Sequence, residues 1–177
     1  AHRGQQGLSR MSRGFVKEDD QEEAPFIPPR AALPEGTTNY VTPRGLALLH
    51  EERNALEEER AAVVGSDHDR RHAQGGIDGR LALLNERIVT ARVVEPGVGP
   101  VRSVRFGVTV TFQHLVGRVA GRSFTFTIVG VDEANVKDGR IAFTSPIARA
   151  LIGKRKGGVA EVALGSEQLR LKVVSVS

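Results

Sequence analysis

The sequence predicts an α+β protein: an antiparallel α-helical coiled-coil hairpin followed by a small, mostly antiparallel sheet domain with one short helix. Three observations predict it. Residues 42–92 hold two stretches with apolar residues at helical spacing, 93–103 are rich in Pro and Gly, and beyond them the period becomes strand-like.

The first helical stretch opens on Thr42, a good N-cap, with Pro43 suited to the first helical position. Leu46, Leu49, Leu56 and Val63 form a seam that Arg53 and Arg60 interrupt, and five glutamates between Glu51 and Glu59 cover the remaining faces. The second stretch carries Ile77, Leu81, Leu84, Ile88 and Ala91 at alternating steps of four and three. Gly75, Gly76 and Gly79 weaken its first part, where fraying is expected. Each arm of about 23 residues would run ~35 Å. Pairing them places Asp67 at the turn, within a tip spanning 65–70.

Beyond the linker, VRFGVTVTFQHL, SFTFTIVGV, RIAFTS, GVAEVAL and QLRLKVVSV read as strands. Between the third and fourth, Ser145 can cap, Pro146 can open and Gly153 can close a short helix. Four parts follow: an extended arm at 1–39, the hairpin at 40–93, a linker at 94–103 and the sheet domain at 104–177. Clustered charge, prolines and few apolar residues make the arm extended and not a packed unit, with an acidic run at 18–23 read as a solvated tail. Met11 is a candidate start, which sets the preceding residues apart from the fold argument.

Composition removes several classes. The 177 residues suffice for one ordinary domain or two small ones with a real core. With no cysteine, neither a disulfide framework nor a thiolate zinc site can form, which suits a reducing cytosol. No apolar run approaches the ~20 residues of a membrane span, so the expectation is a soluble, cytoplasmic protein without membrane partners. Lys and Arg exceed Asp and Glu by 25 to 21, too small an excess to define a nucleic-acid binder unless it is clustered. The absence of Trp argues against a base-stacking platform.

At the tip, Gly65-Ser66-Asp67-His68-Asp69-Arg70-Arg71 admits two readings. Asp67 and Asp69 are catalytic candidates as partners of a metal ion. Alternatively, Ser66 or Asp67 caps the second helix and Asp69 favours its first turn through the helix dipole. His68 and His72 share a face, but without an obvious third ligand they are a weak zinc signal. Most stalk arginines are expected to pair with glutamates. Arg70 and Arg71 are the exceptions, since no acid follows closely, and are candidates for RNA phosphate contacts.

The run IVGVDEANVKDGRIAFTSPIARALIGK, with VRFGVTV opening the sheet domain and Thr42 to Gly45 opening the first arm, resembles the Gre family (GreA/GreB) of bacterial transcription elongation factors. The resemblance covers roughly residues 40–177. It implies an FKBP-like C-terminal domain that docks on bacterial RNA polymerase at the rim of its secondary channel, which the coiled coil then enters. It makes Ser145, Pro146, Ile147 and Ala148 polymerase-facing and puts Asp132 and Glu133, otherwise a solvated loop, near the docking surface. In cleavage-competent members the tip reads Gly-Asp-x-x-Glu-Asn-Ala-x-Tyr and helps hold the second Mg²⁺ of the polymerase.

Here Ser-Asp-His-Asp-Arg-Arg follows Gly65 instead, and the arms read as roughly two turns shorter, on the order of 11 Å. A shortened hairpin is similar to Rnk-type relatives, which bind polymerase without being cleavage factors. The resemblance therefore implies a non-enzymatic regulator, probing the channel as a monomer and meeting nascent RNA and DNA only within the elongation complex. It implies no tightly bound cofactor or metal of its own, only the Mg²⁺ of the polymerase if cleavage is stimulated. A peptidyl-prolyl isomerase would need an aromatic-lined proline pocket, and the C-terminal domain has neither Trp nor Tyr.

Overall fold

A computed structural model describes residues 24–177. The readings of Met11 and of the acidic run 18–23 lie outside the described residues. In chain order the elements are β1 (Tyr40–Val41), α1 (Pro43–Ala61), α2 (Asp67–Thr90), β2 (Arg92–Val93), β3 (Thr109–His114), β4 (Ser123–Val129), a 3₁₀ turn (Val136–Asp138), β5 (Arg140–Ala142), α3 (Pro146–Leu151), β6 (Val159–Leu164) and β7 (Glu167–Val176).

The 19 residues of α1 and 24 of α2 correspond to rods of ~28 and ~36 Å. They form the predicted hairpin. Leu49, Leu56, Ile77 and Leu84 are buried between them, with Leu46, Val63, Leu81, Ile88 and Ala91 packed around. Thr42 caps α1 by accepting from the Gly45 N–H at 2.9 Å, and Pro43 occupies the first turn, where a missing N–H costs nothing. Ion pairs cross between the arms, among them Arg60 Nε–Asp78 Oδ1 at 2.6 Å and Arg80 Nη1–Glu59 Oε1 at 3.8 Å. The chain enters and leaves the hairpin side by side, since β1 and β2 pair in parallel through Tyr40↔Arg92 and Val41↔Val93.

The fraying expected at Gly75, Gly76 and Gly79 does not occur; α2 is continuous through them. Tertiary contact offsets their poor helix propensity. Residues before β1, expected not to form part of a packed unit, pack on the hairpin. A Cβ on Gly75 or Gly76 would sit 3.6 Å from Pro25, and one on Gly79 would sit 2.3 Å from Ile27 Cδ1. The three glycines therefore form a lane along α2 in which residues 25–27 lie.

The five predicted strands form one sheet in the order β5-β4-β3-β7-β6, antiparallel except for the parallel pair β4–β5. Alternation sorts the faces. On β3, Val110, Phe112 and His114 point inward, while Thr109 and Thr111 bond outward to Thr127 and Thr125 across the β4 register at 2.8 and 2.7 Å. Helix α3 closes the inner face with Ala148 and Leu151, both at 0% exposure, over Ile128, Val162, Leu171 and Val173.

The Arg60 guanidinium, by hydrogen bond and then by charge, holds the Asp78 carboxyl below its ordinary range. A depressed carboxylate stabilises the fold above its unfolded pKa, and that contribution is lost as pH falls through the folded value. In an NMR titration Asp78 should therefore titrate below ordinary aspartate and move upward in Arg60→Gln. An unchanged midpoint in the variant would remove this cross-arm pair from the account.

Candidate functional site

Three constellations bear on function: the tip, the short helix α3 with its cap, and the junction where the hairpin meets the sheet.

At the tip, Ser66 caps α2 and accepts from the Asp69 N–H at 3.2 Å. Gly65 takes a left-handed φ of +123°, which lets the chain turn between the arms. Asp67 and Asp69 both lie in the first turn of α2, where carboxylates favour the helix N-terminus. The capping reading thus describes the local geometry. Two positions apart on a helix, the two side chains do not face each other. Among the described residues no three His, Asp or Glu side chains converge as a metal site. Arg70 was expected to lack a compensating acid, but it pairs with Asp67, which precedes it by three residues. The acid lies on the N-terminal side, where it can also serve the helix end. Arg71 and His68 also make contacts within the chain.

Ser145, Pro146, Ile147 and Ala148 stand at the start of α3 as the sequence predicts. Ser145 Oγ accepts from the Ala148 N–H at 3.3 Å, and Pro146 takes the first turn. Their exposures differ. Pro146 is exposed and Ser145 and Ile147 are half-buried, but Ala148 is wholly enclosed in the sheet core. The assignment of Ala148 as a polymerase contact is therefore corrected: its methyl group packs the helix onto the sheet and reaches no surface.

The junction holds what sequence reasoning missed. Asp132 and Glu133 are not a solvated loop; their side chains are 7% and 4% exposed. Asp132 Oδ1 accepts from Arg30 Nε and Oδ2 from Arg87 Nη1, both at 3.0 Å, which joins the sheet domain to the arm and to α2. Arg30 continues as a fork onto Glu52 of α1, at 2.9 and 3.0 Å. Its pKa is raised, first by the Glu52 hydrogen bond and also by the Asp132 charge, against the effect of burial. Arg87 also donates to the Ala31 carbonyl.

Glu133 reaches the other side of the stalk base. It accepts from the Thr42 hydroxyl and from Arg44 Nη1 at 2.8 Å, with Arg140 Nε 3.9 Å away. Thr42 therefore bonds in two directions, accepting from its own helix and donating to the sheet domain. Gly45 admits this approach, since a Cβ there would lie 2.9 Å from Glu133 Oε1. Gly130 does the same for backbone, as a Cβ would lie 2.5 Å from the Tyr40 carbonyl. The Tyr40, Phe106 and Phe143 rings complete the junction, with centroids 5.5 to 6.0 Å apart. With both carboxylates committed within the chain, Asp132 and Glu133 are assigned to holding the sheet domain on the stalk. That corrects the reading of a solvated loop, and it leaves neither carboxylate exposed for the polymerase-binding role that the resemblance implied. The spacing of Thr42 and Gly45 was a legible signal for the helix start, but nothing local pointed to their partner.

A helical stalk clamped at its base to a small five-stranded domain defines a class of two-part proteins in which one part positions the other. Comparison with known proteins gives the particular family. The model for "Transcription elongation factor, GreA/GreB, C-term" matches residues 99–177. Transcription elongation factor GreA of Verminephrobacter eiseniae is 37% identical over 158 residues, which cover 80% of this chain and 98% of that protein. GreA of Ralstonia nicotianae is 36% identical over 75% of this chain and 93% of its own length. Two solved structures are also similar. GreA factor homolog 1 of Thermus thermophilus matches at TM-score 0.37 and 20% identity over 80% of this chain and 99% of that one. GreA/GreB from Nitrosomonas europaea matches at TM-score 0.38 and 21% identity over 78% and 98%. The chain belongs to the GreA/GreB family of transcription elongation factors.

Two variants test the junction. Gly79→Ala should keep or raise helix content, because alanine is the better helix former by ~1 kcal/mol, yet it should expose residues 25–31 to protease by displacing Ile27. Adding Ile27→Ala should relieve that clash, so equal cleavage with or without Gly79→Ala in the Ile27→Ala background is the expected non-additivity. Asp132→Ala leaves two part-buried arginines without their shared acid. The expected loss is about 3–5 kcal/mol in urea unfolding, and a loss below about 1 kcal/mol would mark the cluster as dispensable.

Proposed function

We propose that this chain regulates transcript elongation by docking its C-terminal, FKBP-like domain on bacterial RNA polymerase at the rim of the secondary channel and directing its hairpin into that channel. The observation that carries this reading is the junction, where Asp132 and Glu133 tie the stalk base to the sheet domain. A domain docked by its own surface then sets the direction of the stalk without further adjustment. The proposed docking residues are those of the α3 start that reach the surface: Ser145, Pro146 and Ile147. Arg70 and Arg71 lie where an inserted tip would meet RNA phosphates. In this role the protein is no enzyme and, as a monomer, carries no metal of its own.

A second reading within the same role is favoured by the tip. Asp67 is engaged by Arg70, and Asp69 faces away from Asp67 around the helix. The Arg70 ion pair competes with any Mg²⁺ of the polymerase for Asp67, and no cleavage step is derived through one. This supports a channel regulator that occupies the channel in preference to one that stimulates transcript cleavage.

A backtracked elongation complex with Mg²⁺ separates these readings. Binding that leaves the RNA 3′ end intact is the expected result. Short 3′ fragments that vanish with Asp67→Ala/Asp69→Ala would overturn the occupancy reading in favour of cleavage stimulation. No binding would sink both. Pro146→Asn should weaken polymerase association by about tenfold, the equivalent of 1.4 kcal/mol, and unchanged affinity would remove α3 from the docking surface.

A further inference from the structure

Among the described residues, several cations of the hairpin are ion-paired while a group in the sheet domain is not. Around the hairpin and its junction Arg30, Arg44, Arg60, Arg70, Arg80 and Arg87 each sit within 4.0 Å of a carboxylate. In the sheet domain Arg102, Arg105, Lys154, Arg155 and Lys156 have no ion pair among the described residues. Four of these five are exposed and Lys154 is half-buried.

Backbone bonding brings the two basic stretches together. Ser103 bridges Arg155 in antiparallel fashion, Val104 N–H donates to the Lys154 carbonyl at 2.8 Å, and Gly153 N–H donates to the Val104 carbonyl at 2.8 Å. The loop that carries Lys154, Arg155 and Lys156 is fixed at both ends by glycines with left-handed φ, Gly153 at +91° and Gly157 at +86°. Gly158 N–H then donates to the Arg155 carbonyl at 2.8 Å. The cations are thus presented on a preformed backbone, so less order has to be imposed when a ligand binds.

We infer that this ridge, Arg102 and Arg105 beside Lys154, Arg155 and Lys156, is a binding surface for the phosphate backbone of duplex nucleic acid. Its composition decides the kind of partner. Cores of protein–protein interfaces are depleted of lysine and centred on buried apolar or aromatic anchors, and here the large apolar side chain exposed in the loop is Ile152 alone. Interfaces with nucleic acid are more polar and strongly positive. No aromatic side chain is exposed within these two stretches, as Phe106 is packed against Tyr40 and Phe143. Binding should therefore follow charge and be indifferent to sequence. The surface lies on the sheet domain, at the end of β3 opposite the β3–β4 turn, and is separate from the tip arginines.

The test is fluorescence anisotropy of a labelled mixed-sequence DNA duplex with the full chain. Five phosphate contacts predict a slope of log affinity against log salt of about −4 to −5 between about 50 and 200 mM. Lys154→Glu/Lys156→Glu should weaken binding by at least about tenfold and flatten the slope by about 2. Arg118→Glu/Arg122→Glu makes the same change in net charge at the other end of β3, and should leave affinity within about twofold. Circular dichroism melts establish that both variants remain folded. Absence of binding at low salt, or an equal loss in the two variants, would overturn the inference. So would a Lys154→Glu/Lys156→Glu variant that loses polymerase but still binds DNA, because the ridge would then serve an acidic protein surface.

Discussion

The architecture depends on two adjacent buried carboxylates. Asp132 and Glu133 leave the end of β4 and reach opposite sides of the stalk base, one to Arg30 and Arg87, the other to Thr42 and Arg44. Burying two charges is costly unless each finds close partners, and three arginines and a hydroxyl supply them. The consequence is directional. Contacts on two sides resist rotation of the hairpin about its base far better than one contact would. The ring cluster of Tyr40, Phe106 and Phe143 adds an apolar stop between them. A stalk used as a probe needs this stiffness where it leaves the domain, because a small angular error at the base is multiplied along ~36 Å of helix.

Glycine serves this junction by what it leaves out. In α2, Gly75, Gly76 and Gly79 carry a local cost in helix propensity of ~1 kcal/mol each. They admit Pro25 and Ile27, and so the arm can run down the stalk until Arg30 meets Glu52 and Asp132. The arm is then a third strand of contact between stalk and domain. Gly45 and Gly130 act at the base, where a single methyl group would push Glu133 or the Tyr40 carbonyl away. Five glycines that local rules treat as weaknesses thus become sites of closest approach.

What could be read from the sequence was what repeats or what lies nearby. The apolar seam was legible residue by residue because a helix face repeats every three or four positions, and every seam residue named from the sequence packs at the hairpin interface. The five strands followed from alternation, and Ser145 and Pro146 from cap chemistry confined to one turn. The roles of Asp132 and Glu133 were not legible, since their partners lie 45 to 102 positions away. The pairing of Arg70 was local and could have been found: an acid three residues before a base on a helix is a known neighbour. The enclosure of Ala148 likewise follows from its place two residues after Pro146, on the face that carries Leu151 three positions on.

The sorting of charge bears on how the two parts divide their work. The hairpin arginines that are matched by carboxylates of the hairpin or of the sheet domain project little net field beyond a Debye length of about 8 Å at physiological salt. Under the proposed function such a hairpin would slide along a charged passage without being held strongly at any one point. Under the proposed function, affinity would come from the domain at its base, where Pro146 and Ile147 reach the surface. Such a division also explains why the junction needs to be strong. If recognition resides in the domain and reach in the stalk, only the clamp at Asp132 and Glu133 converts one into the other, and a flexible connection would lose the direction that docking confers.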